Sequence, residues 1–325
     1  MSKVLLQKYC DSLDRRNLVS LDYSFENFNL QEEFSLFDYQ EESLKNTASL
    51  LIKYFSDDKK NIEDFYFNNL SLEDKEKLSI SKESEFFTLL KEYNFFEFEN
   101  KIDYTNFLNR ACFWMATGSG KTIVIVKLIE MLYSFMKNNI IPNKHILVIA
   151  PNDKLIYQIK KHITIFNKCN SKSHKISLKD LKDFEKNTFA GLNPIMPNEI
   201  SIYYTRSSLI SDDNKENMFD YKSYILKNGW YLILDEAHKG EQENSKRKTY
   251  INILGKNGFI FNFSATFTDL LDEVTTIYNF NLAEFIKKGY GKNIKILDDE
   301  FKNFKAKNKK EEENNKEYVN DDVVF

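Results

Sequence analysis

The octapeptide Met115-Ala-Thr-Gly-Ser-Gly-Lys-Thr122 stands between a short apolar run, Ala111 to Met115, and a long one, Ile123 to Met136. A strand, a glycine-rich loop and a helix in that order are the context a phosphate loop requires. Gly118 and Gly120 permit backbone angles that turn successive N–H groups inward toward an anion, and the helix starting near Lys121 adds the positive end of its dipole. Thr117, Gly118, Ser119, Gly120, Lys121 and Thr122 are therefore the candidate nucleotide-binding residues. Lys121 is placed to reach the β- and γ-phosphates, and the Thr122 hydroxyl to ligate Mg²⁺. The strict pattern has a glycine where Met115 stands, so the general signature is partly met. A glycine-rich turn that happens to precede Lys-Thr is the plain structural alternative.

Further along, Trp230-Tyr-Leu-Ile-Leu-Asp-Glu-Ala-His238 reads as an apolar strand ending in two carboxylates. Open α/β sheets bind ligands beyond the carboxyl ends of their strands. Asp235 is expected to hold Mg²⁺ through its water shell, and Glu236 to orient an attacking water and accept its proton. Phe261-Asn-Phe-Ser-Ala-Thr266 is a third strand running into small hydroxyl residues. Ser264 and Thr266 are expected to hydrogen-bond His238, coupling the nucleotide state to a neighbouring domain. Each of these segments alone is also an ordinary strand-end turn; their order after the glycine loop is what favours chemistry.

The runs His145–Ala150, Ile200–Tyr204, Trp230–Leu234 and Phe259–Phe263 are continuous and apolar, as in strands buried on both faces. They alternate with helical patterns at Tyr39–Phe55 and Leu155–Phe166, where apolar residues recur three or four apart. The expected fold is α/β: a parallel sheet covered by helices on both faces. Residues 1–35 form an N-terminal segment and 36–297 the lobe, with a helical insertion at 56–100. Residues 298–325 carry KAKNKKEEENNKE and read as a charged, solvated tail.

Net charge is −3, so no global basic field marks a polyanion partner, although phosphate contacts need only one local face. The three cysteines, Cys10, Cys112 and Cys169, lack metal-ligand spacing and suit reduced thiols in a cytoplasmic protein. No apolar run has the length of a membrane span, and the first residues lack a secretory signal's apolar core.

Taken in order, MATGSGKT, VIAPNDKLIYQ, LILDEAH and FSAT resemble the motifs of superfamily 2 helicases of the DEAH-box type. The flank Arg110, Phe113 and Trp114, the pair Ile141-Pro142, and the segment Tyr278 to Tyr290 resemble the restriction-enzyme branch, the ATP-dependent (Res) subunit of type III restriction endonucleases. The resemblance runs over residues 36–297 and implies a RecA-like ATP-binding lobe that uses ATP and Mg²⁺ and acts on DNA. It gives Gln40 the role of reading the adenine edge, with Phe37 where the family often has arginine. A polar residue exposed at a helix start is the plain alternative for Gln40. Pro151, Asn152, Lys154 and Gln158 take the place of a motif that touches nucleic-acid phosphate, and Arg206 in Tyr204–Leu209 that of the next one. Arg206 is equally read as a solvated surface residue.

Motors of this kind use a second RecA-like lobe whose arginines reach the transferring phosphate. No arginine follows Arg247, and no acid-acid-lysine nuclease cluster is evident. The expectation is a half-motor whose partners are DNA, a second lobe, and nuclease or methyltransferase subunits on another chain. Two rival readings fit the same residues: a non-catalytic ATP-binding partner that completes its site with another chain, and a truncated, inactive remnant.

Overall fold

The computed structural model describes residues 3–15, 18, 23, 36–56, 58–169, 175–184, 195–196, 198–212, 218–236 and 246–290. The chain divides into two compact units, Met1–Glu284 and Phe285–Phe325. In the second, residues 285–290 are described: Tyr290 N–H donates to Phe285 O at 3.1 Å around Gly289, whose φ is +81°. The expected charged tail and His238 lie outside the described residues.

The first unit is built on seven parallel strands: β1 (Arg110–Met115), β2 (His145–Ala150), β3 (Lys175–Asp180), β4 (Glu199–Arg206), β5 (Trp230–Asp235), β6 (Phe259–Ser264) and β7 (Thr276–Phe280). Their order across the sheet is β7-β1-β6-β5-β2-β4-β3, and every neighbouring pair is parallel. A two-residue strand, Ile195–Met196, pairs antiparallel with the start of β4. The fold is the expected α/β lobe. The central strands β5 and β6 are buried at all six positions, which is why their sequences are continuous apolar runs rather than alternating ones.

The described α-helices before β7 are α1 (Leu5–Ser12), α2 (Asp38–Tyr54), α3 (Lys59–Asn69), α4 (Leu72–Leu78), α5 (Phe87–Glu92), α6 (Lys121–Lys137), α7 (Asp153–Cys169), α8 (Lys246–Gly255) and α9 (Leu270–Val274). Helix α7 buries Ile156, Ile159, Ile163 and Phe166, one stripe at helical spacing, and turns its other faces to solvent. Helix α6 is buried almost all round, which its run of Ile, Val and Leu requires. Its one deeply buried ammonium, Lys127, pairs with Glu130 at 2.8 Å and lies 4.7 Å from the centre of the Tyr23 ring. Tyr23 thus fastens a residue of the N-terminal segment onto the helix that follows the glycine loop. From the same segment, Gln7 Oε1 accepts the N–H of Asn279 in β7 at 2.8 Å.

Residues 56–100, expected to be a helical insertion, hold α3, α4 and α5 but also strands. Ile80–Ser81, Lys101–Ile102 and Glu97–Phe98 form a small antiparallel sheet, too short to leave an alternating pattern. This layer sits at the N-terminal ends of the strands: Lys256, just before β6, donates to Asn94 O at 2.5 Å, and the Tyr66 hydroxyl donates to Val274 O, just before β7, at 3.1 Å. It is therefore remote from the glycine loop, which lies at the opposite, C-terminal edge.

Candidate nucleotide site and nucleic-acid face

Strand register brings the motifs together. Phe113 in β1 pairs with Phe263 in β6, which pairs with Asp235 in β5. The glycine loop after Met115, the Ser264–Thr266 segment and the Asp235–Glu236 pair therefore leave the sheet at one level on adjacent strands. With strands about 4.8 Å apart, the loop and the carboxylates are separated by about 10 Å laterally, the span of a phosphate chain with its metal.

The loop is held from two sides. The Ala116 N–H donates to Phe280 O at 2.9 Å, and the Ser119 N–H to Ala116 O at 3.2 Å. Gly118 has φ +83° and Gly120 φ +79°, left-handed values that admit glycine without strain. A Cβ on Gly118 would meet open space, whereas one on Gly120 would stand 2.5 Å from Gln40 Nε2. Gln40 is 1% exposed, so the reading of it as an exposed helix-start residue is overturned. Its Oε1 accepts the Phe37 N–H at 3.0 Å and its Nε2 donates to Ser119 O at 2.9 Å; the Tyr39 hydroxyl donates to the same carbonyl at 2.8 Å. Gln40 and Tyr39 fasten the start of α2 to the loop. Tyr39 was not singled out in the sequence, although it adjoins Gln40. The Tyr39 ring lies between Phe280, 3.9 Å from it centre to centre, and the half-exposed Phe37 at 5.7 Å.

Asp235 and Glu236 are both buried, at 3% and 4% exposure. Glu236 takes φ +55°, a left-handed conformation that costs a non-glycine residue about 1 kcal/mol or more. Its N–H still donates to Phe263 O at 2.9 Å, so the chain leaves the ladder only at this residue. The turn delivers its carboxylate to Lys121: the ammonium donates to Glu236 Oε1, with the two side chains 13% and 6% exposed. The Ala265 N–H donates to the same oxygen at 3.3 Å, and Ser264 Oγ lies 3.3 Å from Oε2. The Ser264 hydroxyl also accepts the Thr266 N–H at 2.9 Å. Ser264 was expected to meet His238; among the described residues its side-chain partner is Glu236. Trp114 explains its place in the flank of the loop: Nε1 donates to Ala265 O at 3.1 Å, tying the end of β1 to the same segment.

The fit to a phosphate ligand rests on three features. Ser119 Oγ is buried and has no hydrogen-bond partner among the described residues. The space beside Gly118 is open, and a partly buried lysine is paired with a carboxylate that a phosphate oxygen can replace. Thr122, half-buried in the first turn of α6, and Asp235 offer the hydroxyl and carboxylate oxygens that suit Mg²⁺.

The residues assigned to nucleic-acid phosphate also stand at this edge, beyond the ends of β2 and β4. Pro151 is half-buried, and Asn152, Lys154 and Gln158 are exposed. Asn152 Oδ1 accepts the Leu155 N–H at 3.1 Å and so starts α7. Arg206, which pairs in register with Ala150, forms an ion pair with Asp153 at 3.1 Å on an exposed surface. From β1 to β4 is four strand spacings, about 19 Å, so this face neighbours the glycine loop without overlapping it.

A parallel sheet with a phosphate loop, an acidic strand end and a flanking polar face defines a helicase-like ATP-binding domain of the P-loop class. Residues 33–269 match the family model described as "Type III restriction enzyme, res subunit", and the chain belongs to that family. Domains of this family generally use ATP with Mg²⁺. Over 176 residues the chain is 28% identical to a candidate type I restriction enzyme MjaVIIIP endonuclease subunit of Methanocaldococcus jannaschii. That alignment covers 51% of this chain and 16% of the relative, so the chain spans only a small part of that protein's length. Among the described residues no helix is long and apolar enough to cross a membrane.

Proposed function

We propose that the chain is the N-terminal RecA-like lobe of a superfamily 2 motor of the DEAH-box type, which binds ATP·Mg²⁺ and forms one wall of a DNA-translocating cleft in a restriction-type defence system of the cytoplasm. The observation that carries this reading is the largely buried Lys121–Glu236 pair, beside a Ser119 hydroxyl that has no hydrogen-bond partner among the described residues. It joins the phosphate-binding and water-activating groups of two distant sequence motifs in one site.

In this reading the amides of Thr117–Thr122 and the Lys121 ammonium hold the β- and γ-phosphates. Thr122 and Asp235 would hold the Mg²⁺ that neutralises charge on those oxygens. Glu236, released from Lys121 when phosphate takes its place, orients the attacking water and accepts its proton. Gln40 fixes the loop through Ser119, and to read the adenine edge its amide would have to leave the Phe37 N–H and Ser119 O. Ser264, by contacting Glu236, and Thr266 with His238 couple the state of the site to a second lobe. Pro151, Asn152, Lys154 and Arg206 position DNA through its backbone, a mode that carries no sequence information. The proposed partners are DNA, a second RecA-like lobe, and nuclease or methyltransferase subunits.

The test is phosphate release with and without DNA, on the chain alone and with a second lobe added. Charge that builds on the γ-phosphoryl oxygens needs donors from across the cleft, and an arginine finger is worth about 10³- to 10⁵-fold. The chain alone is expected to be slow, and the pair fast and stimulated by DNA. Fast, DNA-independent hydrolysis by the chain alone would overturn the reading. No hydrolysis by the pair would favour a non-catalytic partner or an inactive remnant.

A further inference from the structure

A second concavity lies on the nucleic-acid face, between the first turns of α7 and the C-terminal ends of β3 and β4. Its volume is about 400 Å³, and its wall includes Tyr157, Lys160, Lys182, Tyr204 and Arg206, with the carboxylates of Asp153 and Asp180. That size lies within the range of small-ligand pockets, about 300–1,000 Å³.

Tyr157 is the unexplained residue here. It sits off the buried stripe of α7 and is 68% exposed, although a ring of this size gains most by burial. Among the described residues no other ring and no cation is stacked on it. The neighbouring Tyr204 is different, because its face is taken: Lys160 Nζ lies 4.1 Å from the ring centre and donates to its hydroxyl at 2.9 Å. Lys160 is also three residues beyond Tyr157 in α7, so both project on one side of the helix. The wall therefore offers one open aromatic face beside an ammonium that is already held in place.

The charges argue against a simple phosphate cradle. Three cations face two carboxylates, and Arg206 is already paired with Asp153. An excess of one positive charge attracts a polyanion weakly; the aromatic face adds what charge does not. Base–aromatic stacking tolerates any sequence because every base has a flat face.

We propose that this pocket takes one unpaired nucleotide of a single strand, its base stacked on Tyr157 and its flanking phosphates near Lys160, Lys182 and Arg206. The proposal rests on the nucleic-acid part of the function proposed above and deepens it. It makes single-stranded nucleic acid the preferred ligand of this face, because a base inside a duplex cannot reach the ring.

The experiment measures binding of the full chain, at one low salt concentration, to a short fluorescent oligothymidylate, to an abasic strand of the same length and to a duplex. The wild-type chain is expected to favour oligothymidylate over both others. Tyr157→Ala is expected to lower the oligothymidylate affinity by about 5- to 100-fold, down to that of the abasic strand, and to leave the abasic affinity unchanged. Tyr157→Phe keeps the ring and is expected to bind as wild type does. Thermal unfolding of each variant checks the fold, which an exposed ring should not affect. Unchanged oligothymidylate binding by Tyr157→Ala, with all strands still bound in a salt-dependent way, overturns the stacking site and leaves the nucleic-acid face standing; that is also the result expected if the pocket serves a protein partner. Failure to bind any strand overturns both.

Discussion

Replacing Glu236 by glutamine should tighten ATP binding while it removes hydrolysis. Lys121 and Glu236 form an ion pair whose side chains are 13% and 6% exposed, and the Ala265 N–H at 3.3 Å helps hold the carboxylate. A phosphate that binds Lys121 must first displace this partner. Hydrogen bonds to charged groups contribute about 1.5–3 kcal/mol net, and neutral ones about 0.5–1.5 kcal/mol. Exchanging carboxylate for amide therefore weakens the competing contact by about 1–1.5 kcal/mol, which corresponds to about 5- to 10-fold in affinity. The variant also removes the repulsion between a carboxylate and the γ-phosphate, so the gain should be larger for ATP than for ADP. Titration calorimetry with ATP·Mg²⁺ and ADP·Mg²⁺ on both proteins measures this, and phosphate release checks the loss of turnover. An affinity for ATP equal to or below that of the wild type would refute the idea that Glu236 occupies Lys121 until phosphate arrives.

Other perturbations have equally definite outcomes. Gly120→Ala places a methyl group 2.5 Å from Gln40 Nε2 at φ +79°; with about 1–2 kcal/mol for the left-handed backbone alone, it should lower the unfolding temperature and weaken ATP binding together. Stability should also depend on His145, whose Nδ1 has no hydrogen-bond partner among the described residues and whose ring is surrounded by Phe184, Tyr203 and Trp230, next to the buried Lys144. Burial pushes the imidazole below its usual value of about 6.5, so the folded state binds fewer protons than the unfolded one. Its contribution is fully present above pH 6.5 or so and is lost as pH falls below that; denaturant titrations between pH 7.5 and 5 should show a decline that His145→Leu flattens.

Much of this organisation is legible in the chain because burial on both faces forces β1, β2, β5 and β6 to be unbroken apolar runs, and because each chemical motif begins where such a run stops. Strand β3 escapes notice for the opposite reason: it lies at the sheet edge, and Lys175, Ser177 and Lys179 interrupt its apolar character. Strand β7 is short, five residues, and its second half is also the start of the segment Tyr278 to Tyr290. Within the site, the loop and both carboxylates are visible as types and spacings, but their contacts are not. That Gln40 is spent on a loop carbonyl, that Glu236 turns left-handed to meet Lys121, and that Ser264 touches Glu236 all depend on strand register and backbone turns. Tyr157 carries no signal in the pattern, since a tyrosine on an amphipathic helix becomes informative only when its ring is found uncovered.

The central claim is that Lys121 belongs to a site for the phosphates of ATP. The most direct measurement is the affinity of the wild-type chain and of Lys121→Ala for ATP·Mg²⁺, by titration calorimetry under one set of conditions. A charge-assisted contact of about 1.5–3 kcal/mol predicts a loss of about 10- to 150-fold in the variant. Equal affinities for the two proteins would contradict the claim.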